Sequence, residues 1–224
     1  MKMNLLSRKF LSFGLAVLAV VSANFTTVFA QTPTPVSPSF REVAKRTLPS
    51  VVNLVMKTAR DGSTQTGSGF FISSDTIVTN FHVVNGASEG YARLVGQSEQ
   101  LRVIGTIAID EAADLALVKI EEPIGKPLDL AGNDSGFVGE EVLAAGNLKG
   151  VEGTFSQGAV SGIGKHNGLD LLQITTVISP EGSGGPVLNN LGEVIGIALG
   201  YLADGQRFNF AIPVRFLREL IAKK

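Results

Sequence analysis

The chain has 224 residues, with 19 Lys and Arg against 20 Asp and Glu, and it contains no Cys. The absent cysteines exclude disulfide frameworks, thiol nucleophiles and zinc–cysteine sites. A formal net charge of −1 gives no reason to expect nucleic acid as a partner, because phosphate binding requires a surplus of clustered Lys and Arg. A chain of this length can bury a sizeable core as one large domain or two small lobes.

The first 30 residues have the pattern of a secretory signal peptide. A basic start precedes a nearly continuous apolar run over 10–23, and Ala30 stands before the expected cut. The alternative is an uncleaved membrane anchor, but Asn24 and Thr26 end the apolar run below the roughly 20 residues that span a bilayer. Cleavage removes three positive charges and leaves 16 Lys and Arg against 20 acids, a net charge of −4. The sequence therefore predicts an exported protein, periplasmic or extracellular, with no membrane span after cleavage.

A short linker precedes a domain built from strands. Residues 31–39 contain three prolines among small or polar neighbours, which predicts an extended linker. Helical periodicity is convincing only over 40–48 and 214–221, and the alternation of strand and helix that a parallel sheet requires is missing. Segment 130–139 is the best candidate for a crossing between two β lobes. Short β-branched runs bounded by glycine predict strands of a barrel or sandwich at 50–56, 69–72, 76–78, 101–109, 115–120, 141–145, 158–163, 171–177, 194–199 and 208–212.

Two histidines are the candidate general bases, since imidazole is the side chain that titrates near neutral pH without perturbation. His82 follows a predicted strand, a position where a lone histidine is most often a surface or capping residue. His166 lies between Gly-Lys and Asn-Gly, a composition typical of an exposed turn. Two isolated histidines without cysteine leave no transition-metal cluster to propose.

Two further residues have the surroundings that hydrolytic chemistry requires. Ser183 lies in Pro-Glu-Gly-Ser-Gly-Gly-Pro, where glycines let substrate approach and let peptide N–H groups turn inward; a plain turn between strands is the alternative. Asp114 precedes the apolar run 115–120, so it is either an ordinary carboxylate at a strand end or a buried one. A buried carboxylate there would hold an imidazole in the required tautomer.

The three residues gain meaning in combination. His82, Asp114 and Ser183 follow one another at separations of 32 and 69 residues, which suits a base and its orienting acid on one lobe and a nucleophile on the next. With these motifs, at 79–84, 114–120 and 183–186, the chain resembles the HtrA/Deg family of chymotrypsin-fold serine endopeptidases. The resemblance covers roughly 40–218 and extends to secondary motifs at 48–53, 67–70, 139–142, 145–147, 158–161, 192–196 and 210–213.

The resemblance implies an all-β fold of two six-stranded antiparallel barrels with short helices at the two ends. We expect the protease domain over 40–224, with the first barrel at about 45–130 and the second at about 135–213. A C-terminal helix is expected at about 214–222. The sequence printed ends soon after the second barrel, so we expect no PDZ domain of the kind that follows the protease domain in most relatives.

The resemblance also implies a mechanism and partners. Ser183 is the expected nucleophile, His82 the general base and then acid, and Asp114 the residue that orients His82. The implied substrates are unfolded or damaged polypeptides, in protein quality control, and no metal or organic cofactor is implied. Relatives commonly form homotrimers through segments near the start of the domain, and Phe40 could serve in such a contact.

The expected oxyanion hole departs from the family pattern. Relatives carry Gly two residues before the serine and Asn or Asp one before it, whereas this chain has Glu181 and Gly182. The hole would be built from the backbone of Glu181, Gly182 and Ser183. A non-Gly residue resists positive φ, so the peptide at Glu181 can settle with its carbonyl facing the hole, although Gly182 relaxes the constraint. The alternative function is therefore a catalytically impaired or inactive chaperone or peptide-binding module.

The expected substrate pocket is apolar. Val177, six residues before the nucleophile, is predicted at the pocket base, and Ile197, Ala198 and Leu199 are predicted to form the strand that substrate joins. Without a charge in the pocket, we expect medium aliphatic residues before the cut. An intracellular structural β-protein is a third interpretation, and it requires that residues 1–30 are not a signal.

Overall fold

The computed structural model describes residues 38–132, 135–148, 151–166, 168–203 and 206–224, with the backbone alone described at 148, 152, 166, 201–203 and 206–208. The predicted signal peptide over 1–30 and most of the predicted linker over 31–39 lie outside these residues. Among the described residues, no helix is both long and apolar enough to cross a membrane.

The folded domain begins with helix α1, Phe40–Thr47, which leads through a 3₁₀ turn, Leu48–Ser50, into the first strand. Ser39 caps α1 because its hydroxyl accepts a hydrogen bond from the Glu42 N–H, while the Glu42 carboxylate accepts one from the Ser39 N–H at 2.7 Å. This capping box fixes where the helix starts, as its Ser-x-x-Glu spacing requires.

The first barrel is a closed antiparallel sheet in the order β1-β2-β3-β6-β5-β4. Side chains alternate between the two faces of β1, so Leu54 and Met56 point into the barrel core. There they join Phe71 and Ile77 from neighbouring strands. A one-turn helix α2, Phe81–Val84, follows β3. The strands are β1 Val51–Thr58, β2 Thr64–Phe71, β3 Thr76–Thr79, β4 Ala87–Leu94, β5 Leu101–Asp110 and β6 Leu115–Ile120.

The second barrel is a closed antiparallel sheet in the order β10-β11-β12-β9-β8-β7. Its core collects the inward side chains of these strands, among them Val142, Leu172 and Ile195. A 3₁₀ turn, Pro180–Gly182, stands before β10. The strands are β7 Glu141–Leu148, β8 Val151–His166, β9 Leu169–Ile174, β10 Pro186–Leu188, β11 Val194–Ala203 and β12 Gln206–Pro213.

Helix α3, Val214–Ala222, follows the second barrel and buries Leu217 and Leu220. Its Arg218 side chain donates hydrogen bonds to the carbonyl oxygens of Leu130 and Ala131, at 2.9 and 2.8 Å. The Ala131 N–H also donates to the Val194 carbonyl in β11 at 2.9 Å. The crossing between the barrels is therefore bonded to α3 and to β11.

Two closed six-stranded antiparallel barrels confirm the predicted fold class. β4 and β10 fall outside the predicted runs, for different reasons. β4 alternates irregularly between exposed and buried residues and contains Gly90, while β10 has three residues and begins at Pro186. Each also closes its barrel by pairing with a strand that is distant in the sequence, β4 with β1 and β10 with β7.

Candidate active site

Pairing of β3 with β6 brings His82 and Asp114 together. Thr79, the last residue of β3, lies opposite Ala116 near the start of β6, so the segments that follow β3 and precede β6 are adjacent. His82 Nδ1 lies 2.7 Å from Asp114 Oδ2, and the His82 backbone N–H donates to Asp114 Oδ1 at 2.9 Å. The imidazole is half exposed, while the carboxylate is more enclosed. This arrangement orients the ring and leaves its Nε2 edge available to accept a proton.

The backbone of Asp114 is held in an uncommon conformation. Its φ is 53°, and it is the non-glycine residue with positive φ among the described residues. Its carbonyl oxygen accepts hydrogen bonds from the Phe81 N–H at 3.1 Å and from Asn80 Nδ2 at 3.0 Å. Together with the two bonds to His82, these contacts fix the left-handed geometry, which is typical of strain retained at functional sites.

Ser183 follows the 3₁₀ turn and is 1% exposed. Its carbonyl accepts a hydrogen bond from the Ser68 N–H of β2 at 2.8 Å, which ties the Ser183 loop to the first barrel. The next residue, Gly184, has a φ of +90°, and a Cβ there would overlap the Ser68 carbonyl and crowd the Asn80 N–H. Close approach of these backbones explains the glycine and sets Ser183 beside the segment that leads to His82.

A groove of about 450 Å³ brings parts of both barrels to one surface, where His82, Asp114, Leu199 and Gly200 contribute to its lining. The Gly200 N–H donates to Ser183 Oγ at 3.3 Å, so the hydroxyl lies at the edge of this groove. Within the part of the chain that the structure describes, no hydrogen bond joins that hydroxyl to His82. His82 and Asp114 thus line the groove, and Ser183 is connected to it through the bond from Gly200 of β11.

The expected oxyanion hole is occupied by the backbone itself. The Ser183 N–H donates to the Pro180 carbonyl at 3.1 Å, and the Gly182 N–H donates to the Ser179 carbonyl at 2.9 Å. No peptide bond is cis in the described residues, so the Glu181 N–H points opposite to the Pro180 carbonyl. The two N–H groups expected to form the hole, those of Ser183 and Glu181, therefore do not converge in this conformation.

Two residues without a predicted role hold Glu181 in place. Ser68 Oγ donates to the Glu181 carbonyl at 2.8 Å and accepts from the Asn147 N–H at 3.0 Å. Two acceptors in this cluster, Glu181 Oε2 and Asn147 Oδ1, are buried and have no hydrogen-bond partner. Both residues lie in segments that resemble the family, but their bonds join three segments distant in the sequence, which motif spacing cannot reveal.

The pocket beside the nucleophile is small. Val177, Gly182 and Ala198 line it with Gly146 and Ile178, and its volume is about 10 Å³. Val177 is 62% exposed, so it lies at the mouth of this pocket and not at its base as predicted. Small buried residues of β7 and β11 line it instead, and a space of this size holds about one water molecule, so a substrate side chain enters only if the loop moves.

The three predicted substrate-strand residues point in different directions, as alternation in β11 requires. Ile197 is fully buried, and its backbone is already paired on both sides, with Pro186 of β10 and Ile212 of β12, so it is not open to substrate as predicted. Ala198 lines the small pocket, and its backbone is bonded to Gly184 and Gly185. Leu199 lines the larger groove with His82. Substrate contact is thus available to two of the three side chains.

The carboxylates with perturbed titration lie away from the groove. Hydrogen bonds from Thr58 and Ser63 lower the pKa of Asp61 to about 2, at the exposed turn between β1 and β2. The hydroxyls of Ser73 and Thr76, followed by Lys119, lower the pKa of Asp75. Within the described ranges, no group of three or more His, Asp and Glu side chains could hold a metal ion. The side chain of the other histidine, His166, lies outside the described residues.

Comparisons with known proteins agree with the fold. A family model described as trypsin-like peptidase domain matches residues 67–197, more than half of the chain. A Synechocystis protein named "putative serine protease HhoA" is 38% identical over 211 residues, which cover 88% of this chain and 51% of the relative. A DegP-like periplasmic serine endoprotease of Hahella chejuensis is 39% identical over 158 residues, 66% of this chain and 33% of the relative. The chain spans about half or less of these curated relatives.

Solved structures agree. The HtrA-type protease AlgW with tripeptide has a TM-score of 0.72 at 27% identity, covering 83% of this chain and 63% of that one. The serine endoprotease from Yersinia pestis has a TM-score of 0.69 at 29% identity, covering 84% of this chain and 67% of that one. The family model includes the segments of His82, Asp114 and Ser183. The chain therefore belongs to the trypsin-like peptidase family and, within it, to the HtrA/DegP-like proteins.

Proposed function

We propose that the protein is a serine endopeptidase that cleaves unfolded or damaged polypeptides through an acyl-enzyme. One observation carries this proposal: the 2.7 Å contact between His82 Nδ1 and Asp114 Oδ2, in a groove at whose edge Ser183 lies. An imidazole held by a carboxylate in this way is the general base that a serine hydroxyl requires.

The reaction assigns one role to each residue. Ser183 Oγ attacks the carbonyl carbon of the scissile bond while His82 takes the hydroxyl proton. The tetrahedral intermediate collapses with cleavage of the C–N bond, and His82 gives the proton to the leaving amine. A water molecule then hydrolyses the acyl-enzyme, again with His82 as base, and Ser183 is regenerated. Asp114 stabilises the imidazolium that forms in both steps.

Catalysis also requires a rearrangement of the 3₁₀ turn. The Ser183 N–H must leave the Pro180 carbonyl, its present acceptor at 3.1 Å, before it can stabilise an oxyanion. Rotation of the Pro180–Glu181 peptide would release that N–H and turn the Glu181 N–H toward the same point. We infer that the conformation described is a resting state of the site.

The substrate class follows from the groove and the pocket. An extended polypeptide that joins the exposed side of β11 must be unfolded locally, because folded surfaces rarely offer a free strand. Once the loop moves, the apolar lining of the small pocket, which includes Gly146 and Ala198, suits a small or medium aliphatic residue before the cut. We assign this activity to protein quality control, carried out by an exported protein in the periplasm or outside the cell. α1, with Phe40 exposed, is the surface we assign to a homotrimer contact.

A second function is favoured by the closed turn. If the Pro180–Glu181 peptide never rotates, the protein is a catalytically impaired or inactive module that binds unfolded peptides, as a chaperone does. The bond from the Ser183 N–H to the Pro180 carbonyl is the observation that favours it. The two functions share the groove and differ only in whether the nucleophile reacts.

Labelling with a serine-directed phosphonate separates the two functions. The endopeptidase proposal predicts stoichiometric modification of the wild type, located on Ser183 by mass spectrometry and absent in Ser183→Ala. Hydrolysis of an unfolded protein substrate should be lost in the same variant. Absence of labelling, with binding of unfolded peptides retained, would contradict the endopeptidase and support the inactive module.

A further inference from the structure

Glu181 carries a carboxylate oxygen that is buried and has no hydrogen-bond partner, directly before the nucleophile segment. Leaving such an acceptor unpaired away from water costs free energy, and more so for a charged group. Asn147, bonded through its N–H to the same Ser68 hydroxyl that holds Glu181, adds a second buried acceptor without a partner. The cluster therefore offers acceptors and lacks a donor.

The cluster and β11 bind different groups of the Ser183 segment. From β11, Gly200 bonds to Ser183 Oγ and Ala198 bonds to Gly184. From β2 and the end of β7, Ser68 and Asn147 form the chain of bonds that holds the Glu181 carbonyl. If the part of the substrate before the cut pairs with β11, the Glu181 cluster is the remaining part of the segment that the chain after the cut can meet.

We propose that Glu181 determines specificity for the leaving side of the substrate, and that it selects Lys or Arg at the first or second residue after the cut. The inference rests on the proposed endopeptidase function. A cationic side chain supplies the donors that Glu181 Oε2 and Asn147 Oδ1 lack. Hydrogen bonds between charged partners are stronger than neutral ones, so a basic residue is favoured over a neutral or acidic one.

The same contact links substrate choice to the 3₁₀ turn. Glu181 contributes the side chain that receives the cation and also one peptide N–H of the expected hole. A cation that draws the carboxylate outward also moves the Pro180–Glu181 peptide, whose carbonyl oxygen accepts from the Ser183 N–H. Basic residues after the cut therefore favour the rearrangement that catalysis requires, besides favouring binding.

The test compares peptides that are identical except for Lys, Gln or Glu at the first and second positions after the cut. We expect the wild type to prefer Lys over Glu by about tenfold to hundredfold in kcat/KM. The preference should fall to about twofold or less in Glu181→Gln. Glu141→Gln, which removes the same charge at the exposed start of β7, should keep the wild-type preference. An unchanged preference in Glu181→Gln, or none in the wild type, would overturn the inference.

A binding measurement separates this inference from the proposed function. Fluorescence anisotropy of the same labelled peptides on Ser183→Ala reports charge preference without hydrolysis, and adding Glu181→Gln to that background should abolish it. Lys preference in binding without hydrolysis by any form would contradict the endopeptidase and support the role of Glu181. Hydrolysis without charge preference would support the endopeptidase and contradict the role of Glu181.

Discussion

The two barrels contribute to the site in different states of readiness. In the first barrel, His82 and Asp114 are joined at 2.7 Å, and the Asp114 backbone is fixed by bonds from Phe81 and Asn80. In the second barrel, the Ser183 N–H is bonded to its own turn and the hydroxyl accepts from Gly200. In the proposed mechanism, the pair that transfers the proton is therefore already formed in the first barrel, whereas the oxyanion hole requires a local change in the second.

This difference has a structural cause. The His82–Asp114 pair is set by the β3–β6 register, which cannot change without opening a closed barrel. The turn Pro180–Gly182 lies in a loop between β9 and β10, where rotation of one peptide leaves every strand pair intact. A site divided in this way can be controlled through the loop alone, because the rigid half needs no adjustment.

The largest expected effect comes from disrupting the His82–Asp114 pair of the first barrel. Asp114→Asn keeps the shape of the side chain but donates an amide to His82, which favours the wrong imidazole tautomer. We expect kcat to fall by about 10⁴-fold. The measurement is hydrolysis of an aliphatic peptide substrate, repeated in the Glu181→Gly background so that the turn does not limit the rate. A loss below about tenfold in that background would contradict the role of the pair.

A smaller effect, an increase in kcat, should come from easing the rotation of the 3₁₀ turn in the second barrel. Glu181→Gly removes the steric resistance to positive φ, about 1–2 kcal/mol for a non-glycine residue, so kcat should rise by about tenfold. Glu181→Ala is the matched control, because it removes the carboxylate and keeps the Cβ, and it should give no comparable rise. Equal rates for the wild type and Glu181→Gly would show that the turn does not limit catalysis.

The link between the halves can be tested through Ser68. Ser68→Ala removes the donor to the Glu181 carbonyl and the acceptor of the Asn147 N–H, both at a buried position. We expect about 1–3 kcal/mol of lost stability to unfolding in urea, because buried polar groups lose their partners. Thr64→Ala, at the exposed start of the same strand, should stay within about 0.5 kcal/mol of the wild type. A stability loss no greater than that of the control would show that the Ser68 hydroxyl does not stabilise this cluster.

The smallest expected effect lies far from the groove, at Asp61. Its pKa is lowered to about 2 by bonds from Thr58 and Ser63, so the folded state favours the ionised carboxylate. The stabilisation is present above the ordinary pKa of about 4 and is lost as pH falls toward about 2. From about pH 5, above that window, to about pH 2.5, near its lower end, the urea midpoint of unfolding should fall more in the wild type than in Asp61→Asn. Equal falls of the midpoint in the two proteins would contradict this expectation. Glu99→Gln, a charge-removing control at an exposed position, should behave like the wild type.

Sequence reasoning predicted the fold from strand-like runs and from motifs that resemble a known family. It did so because the β-branched residues within 51–58 and 115–120 are local signals. It missed β4 and β10, which lack a run of β-branched residues and close each barrel by pairing with β1 and β7, far away in the chain. It also assigned Ile197 to the substrate strand, since an apolar run gives no sign of how far its partner strands extend.

For the site, the sequence identified which residues to examine and not how they are bonded. Glu181 is visible as a departure from the family pattern because it stands two residues before the serine. The clamp by Ser68 and the bond of the Ser183 N–H to Pro180 are properties of the folded loop. They depend on the rotation of one peptide, which residue types constrain but do not determine.

The most direct test of the account is a crystal structure of the protein modified by a serine-directed phosphonate. We predict a bond from Ser183 Oγ to phosphorus, with the phosphonyl oxygen accepting from the N–H groups of Ser183 and Glu181, and the His82–Asp114 contact unchanged at about 2.7 Å. A modified serine with its N–H still bonded to the Pro180 carbonyl, or with His82 separated from Asp114, would contradict it.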